Sequence, residues 1–194
     1  MGQTVPSGRV TFVDTVFSCA IINNAWSTIA TTKPVITHSK KMIKITGQRF
    51  LTKYIKPFSQ MALTDTIYTM HTMMDLEKSR IRMSFRNTKI VDPNNKNYAY
   101  GWSAKSNNRK YDFDIIINLP LIALWASKLK VPKQHRVLKY ILRTVLHELH
   151  HVRDHVNGQW ISEIDAAQSE KLYLAFYHIM IWHGENYNIL GTHS

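Results

Sequence analysis

Only one cysteine, Cys19, stands in 194 residues. No intramolecular disulfide can form, and a metal cage built from thiolates is excluded, which fits a reducing compartment. Long apolar runs are also missing. Residues 11–30 are moderately apolar, but Asp14, Asn23 and Asn24 interrupt them and few positive residues precede them. Such a segment makes a poor signal peptide or membrane span, so the expectation is a soluble, intracellular, cytoplasmic chain with no membrane partner. Pro6 occupies the position where N-myristoylation after Met1-Gly2 needs Ser or Thr. There is no internal repeat, no low-complexity tract and no Gly-rich phosphate loop.

Acidic residues are scarce in the first half. Between Asp14 and Asp65 there is none, while Lys33, Lys40, Lys41, Lys44, Arg49, Lys53 and Lys56 accumulate. Residues 1–110 hold seventeen Lys or Arg against five Asp or Glu, and residues 111–194 hold eight of each, so the whole excess of +12 lies upstream. A field of this sign favours an anionic partner, nucleic acid or an acidic protein surface. The candidate anion contacts are Lys40, Lys41, Lys44 and Arg49, joined by Arg80, Arg82 and Arg86, which alternate along Arg80–Arg86 as the outer face of a half-buried strand.

Hydrophobic residues make up 44% of the chain, enough for a real core in a single domain of ordinary size. Thr11–Phe17 reads as a short strand, and Met42–Phe58 is a basic, partly apolar stretch of undefined state. Residues 59–77 read as a helix with Met61, Ile67, Met70 and Met74 on its core side. Turns at Asp92–Asn95 and Ser106–Asn108 separate strands near residues 98–104 and 111–118. Pro120 and Pro132 bracket a helix at 121–129. Leu138, Ile141, Leu142, Val145, Leu146, Leu149, Val152 and Val156 then follow helical spacing, predicting a helix over about residues 134–156.

Within that helix lies an H-E-x-x-H pentad, His147-Glu148-Leu149-His150-His151. With ten His and five Glu in the chain, a shuffled sequence would contain the pattern by accident roughly once in 80, so its place inside a periodic helix carries weight. Histidines four residues apart lie one turn above each other, so both imidazoles can reach one metal ion. Glu148, between them, is placed to take a proton from an attacking water. Catalytic zinc usually has three protein ligands, and Glu163 is the candidate third. Asn157-Gly158 ends the first helix and Ser162 caps a second, which returns its first turn, with Glu163, to the histidines. Asp165 competes for the role, although Ser162 and Asp165 also fit a capping box.

His147-Glu148-Leu149-His150-His151 followed by Glu163-Ile164-Asp165-Ala166-Ala167 resembles the gluzincin type of zincin metallopeptidase, with minimal ImmA/IrrE-like domains nearest. Tyr100-Gly101-Trp102 and Asp112–Asn118 resemble the sheet before the active-site helix in such domains and in SprT-like proteases. The resemblance covers roughly residues 80–180 and implies an α+β fold, a small mixed sheet with an active-site helix and a following ligand-bearing helix. It implies one Zn2+ per chain, held by His147, His151 and Glu163. Two departures stand out: the gap from His151 to Glu163 is short, and Ala167 replaces an aspartate that supports a zinc-binding histidine in several families. SprT-like enzymes use a third histidine, and none lies between His155 and His178.

Other polar residues have candidate supporting roles. Asp154 and Asp165 are positioned to orient a ligand, and Tyr173, Tyr177 and His178 are candidate transition-state donors. His155 lies two turns from His147, too far to share its metal. The expected organisation is a zincin-like domain over residues 58–194, preceded by a basic extension or elaboration over residues 1–57. The expected activity is zinc-dependent hydrolysis of a protein or peptide substrate. The alternative is a non-catalytic nucleic-acid-binding or assembly protein that uses the same scaffold and its basic half.

Overall fold

The computed structural model describes residues 42–89, 91, 98–128 and 133–191. Contacts divide the chain into residues 1–32 and residues 33–194, and every described residue belongs to the second unit. The expected strand at Thr11–Phe17 and turn at Asp92–Asn95 lie outside the described residues.

Strands β1 (Ile43–Thr46), β2 (Ile81–Arg86), β3 (Gly101–Lys105) and β4 (Phe113–Asn118) form one mixed sheet in the order β1-β2-β4-β3. β1, β2 and β4 are parallel, and β3 is antiparallel to β4 at the outer edge. The period of two decides which residues face the core. Register pairs Ile43 with Ile81 and Ile81 with Phe113, then Ile45 with Met83 and Met83 with Ile115, so these apolar side chains share one face and are buried. The alternate positions carry Arg82 and Asp114, which face each other in register and pair through two hydrogen bonds of 2.7 and 2.8 Å. β1 belongs to this sheet as its edge strand opposite β3, and Leu51 and Ile55 after it are buried. The expected boundary at residue 57 therefore falls within the folded unit, and the undefined stretch Met42–Phe58 consists of β1, a 3-10 helix at Gln48–Lys53 and the start of a helix.

Helices α1 (Pro57–Met73), α2 (Leu119–Ser127), α3 (Lys133–Val156), α4 (Glu163–Ser169) and α5 (Tyr173–Gly191) complete an α+β architecture, with a 3-10 turn at Glu170–Leu172 joining the last two. Pro57 opens α1, where its missing N–H costs nothing. Ile67, Met70 and Met74 of α1 are buried as the periodicity requires, but Met61 is 52% exposed. Asn118 caps α2 by accepting from the Leu121 amide, while its own amide donates to the Ala99 carbonyl and ties the approach to β3.

α3 is the element that positions the site. Val137, Leu138, Ile141, Leu142, Val145, Leu146, Leu149 and Val152 are all buried, each worth about 1.5–3 kcal/mol relative to an exposed side chain, whereas Val156 at the end of the stripe is 44% exposed. The helix packs along β3 and β4 and against α2. It ends where Gly158 adopts a left-handed φ of 65° and Gln159 N–H donates to the Asp154 carbonyl. Four residues later Ser162 Oγ accepts from Asp165 N–H and starts α4, so the chain reverses within a short loop.

Candidate metal centre

His147 and His151 project from the same face of α3, and α4 brings Glu163 across to them. Nε2 of His147 lies 3.0 Å from Nε2 of His151 and 3.2 Å from Glu163 Oε2, and Nε2 of His151 lies 3.3 Å from Glu163 Oε1. Among the described residues this trio is the group whose ligand atoms converge, all within 4.8 Å of one another. Two ligand atoms at tetrahedral zinc, each about 2.0–2.1 Å from the ion, stand about 3.3 Å apart, so these separations fit a single small cation.

The proton bookkeeping points the same way. His147 Nδ1 meets Glu170 Oε1 at 3.1 Å, and since a carboxylate only accepts, the ring proton belongs on Nδ1. Nε2 faces the other imidazole nitrogen and the Glu163 carboxylate. Burial, and next to it the neighbouring His147, push the pKa of His151 below the ordinary histidine value, so its ring is held neutral. Two imidazole nitrogens and a carboxylate gathered at hydrogen-bond distance can share protons or one cation, and a single divalent ion would engage all three at once. The residues present fit zinc, or another divalent ion that accepts a His2Glu set.

Glu148 is 5% exposed and packs under the start of β3. A Cβ on Gly101 would lie 2.6 Å from Glu148 Oε1 and 2.7 Å from the Thr144 methyl, so glycine leaves room for the carboxylate where it stands and a larger residue would force a shift. The group opens onto a cleft of about 700 Å³ whose walls include Tyr100, Gly101, Trp102 and Ser103 on one side and Tyr140, Arg143 and Glu170 on the other. Burial pushes the Tyr100 phenol up to about 12, so it stays a protonated donor. Ile161 reaches the cleft, and Trp160 and Ile164, nearby in the chain, are 92% and 72% exposed.

The structure distributes the remaining expected residues differently. Asp165 is exposed in the first turn of α4, its backbone amide on the Ser162 cap, and lies outside the converging trio. Asp154 is buried beside His150 at 3.5 Å, with its Oδ2 unpartnered, as is Nδ1 of His151. His150 itself is buried and held neutral by burial and by Arg153. Tyr173, Tyr177 and His178, on α5 beyond the 3-10 turn at Glu170–Leu172, are not among the residues that line the cleft. Tyr100 and Tyr140 are the cleft phenols instead. Glu170 and Arg143 were not evident from the pentad, although two spacings hold the signal: Arg143, His147 and His151 form one i, i+4, i+8 stripe, and Glu170 lies two turns after Glu163.

The basic face of β2 is largely neutralised. Arg80 pairs with Asp112 at 2.8 Å and Arg82 with Asp114 at 2.7 Å, and the Arg80 bonds hold the Asp112 carboxyl below the usual range. Those two arginines are therefore poor phosphate contacts. Lys44, Arg49 and Arg86 are exposed, while Lys40 and Lys41 lie outside the described residues.

Comparison of the chain with protein-family models, with curated proteins and with solved structures finds no match.

Proposed function

We propose that this chain is a zinc-dependent metallopeptidase of the gluzincin type, a hydrolase acting on protein or peptide substrates. The observation that carries the reading is the convergence of His147, His151 and Glu163 next to a buried Glu148 at the edge of a sheet. A purely structural metal site has no need of a carboxylate base between its histidines.

Zinc at such a trio supplies Lewis acidity, which acidifies water and polarises a carbonyl. Glu148 takes the proton from the attacking water and delivers it to the departing amine. Glu170 holds the His147 ring with Nε2 inward, and Arg143 in turn holds Glu170, its Nε donating at 2.8 Å. Tyr100 brings a protonated phenol to the cleft wall. Among the described residues β3 pairs with β4 on one side only, and its first residues line the cleft, so an extended peptide can add along that edge and run past the histidine pair. This favours a peptide over a small-molecule substrate.

The test is elemental analysis of protein purified without chelators or a histidine tag, combined with hydrolysis of dye-labelled casein. Native protein is expected to carry one zinc per chain, and His151→Ala and Glu163→Ala to lose it. Glu148→Gln is expected to keep zinc and lose about 10²–10⁴-fold in rate. A chain that binds no metal after zinc is added back, or a Glu148→Gln variant with full activity, overturns the reading.

A further inference from the structure

The metal cleft uses none of the basic excess, so the unpaired cations define a separate question. Arg80, Arg82 and Arg143 each hold a carboxylate, whereas Arg49 and Arg86 hold none among the described residues. These two come together at a second cavity of about 430 Å³, where β1 and β2 end, lined also by Gly47, Gln48, Phe50 and Ser84. β1 is the strand farthest from β3, three strand spacings or about 14 Å across the sheet, so this cavity is distinct from the metal centre.

The cavity is built, not incidental. Gly47 has a left-handed φ of 74°, and a Cβ there would lie 2.1 Å from the Phe85 carbonyl oxygen, so glycine lets the turn after β1 rest directly on the end of β2. Gln48 donates from Nε2 to Thr64 Oγ1 on α1 at 3.0 Å. Tyr54 donates its hydroxyl to Asn87 Oδ1 at 2.7 Å, one residue beyond Arg86. Thr46 and Ser84 share a 2.9 Å hydrogen bond at the floor. These ties hold the Arg49 turn against the Arg86 strand end without engaging either guanidinium.

We propose that this cavity binds a phosphate group between Arg49 and Arg86, and that the phosphate belongs to a single-stranded nucleic acid. Two arginines lining one cavity, neither holding a carboxylate among the described residues, suit phosphate oxygens. The surroundings favour a polymer over a free ion, because Lys44 and Lys53 extend the charge along a segment, residues 42–58, that contains no acidic residue. Aromatic rings alternate with those cations, the Arg49 guanidinium 5.0 Å over Phe50 and the Lys53 ammonium 5.8 Å over Tyr54. Cations interleaved with rings suit a backbone with unpaired bases.

The test is fluorescence anisotropy of the full chain with a labelled single-stranded oligonucleotide of about 16 nucleotides, in chelator so that the metal site plays no part. Arg49→Gln/Arg86→Gln is compared with Arg109→Gln/Lys110→Gln, which removes the same charge from an exposed turn. The first pair is expected to weaken binding about 10-fold or more and to flatten the logarithmic salt dependence by about 0.7–1.4. The control pair is expected to do less. If the oligonucleotide fails to bind but inorganic phosphate raises the melting temperature of the native chain and not of Arg49→Gln/Arg86→Gln, the phosphate site stands and the polymer is rejected. Equal losses in the two variants, or no response to either ligand, overturn the proposal.

Discussion

His147 turns its Nδ1 toward Glu170 at 3.1 Å, and that contact decides which ring nitrogen faces Glu163. Glu170 is itself fixed by Arg143, so the orientation of one candidate ligand rests on an ion pair between α3 and the turn that follows α4. A carboxylate behind a ligand histidine raises its basicity and restricts its rotation, and losing it typically costs 10- to 100-fold in metal affinity.

Removing that support should be visible without any substrate. Glu170→Ala is expected to weaken zinc binding by about 10- to 100-fold, read by competition with a chromophoric chelator, and Glu170→Gln, which keeps an acceptor oxygen, to lose less. Native affinity in both variants would show that Glu170 only packs.

Gly101→Ala should separate metal binding from turnover. The added methyl meets Glu148 Oε1 and the Thr144 methyl well inside contact distance, so Glu148 must shift or β3 must move away from α3. The expected outcome is a lower melting temperature, corresponding to about 1–3 kcal/mol, and a large loss of peptidase rate with zinc content preserved. Unchanged rate and stability would show that the approach of β3 to Glu148 does not constrain the carboxylate.

Acid should destabilise the metal-free chain earlier than its carboxylates alone require. Burial lowers the pKa of His150 and His151 below the ordinary 6.5. The unfolded chain therefore binds more protons than the folded one between that value and the lowered ones. Stability is full above pH 6.5 and falls as pH drops through that window. In chelator, the urea midpoint should be flat from about pH 8 to 7 and decline below about 6.5. A midpoint that holds level down to about pH 5 would contradict the neutral, buried state of these rings.

Residue by residue, the part of the site that could be read from the chain is the part held by local geometry. His147 and His151 share a face because a helix turns every 3.6 residues, and the buried stripe from Val137 to Val152 made that helix legible. Glu163 followed from Gly158 and Ser162, which stop one helix and start the next within five residues. Strand positions were legible near residues 81–86, 101–105 and 113–118, but the inclusion of Ile43–Thr46 was not, since nothing local announces a parallel partner 38 residues away.

The amino-acid order by itself determined the helical periods, the caps and turns, and the convergence of two histidines and a glutamate, because each depends on backbone geometry over a few residues. Tertiary structure decided that Arg80 and Arg82 are spent on Asp112 and Asp114, that Arg49 and Arg86 hold no carboxylate among the described residues, and that Glu170 orients His147. It also decided that a side chain at position 101 would displace Glu148 or Thr144. These outcomes depend on which strand lies beside which and how closely a strand approaches a helix. Such long-range pairings are set by the burial of the whole core, and no window of a few residues contains them.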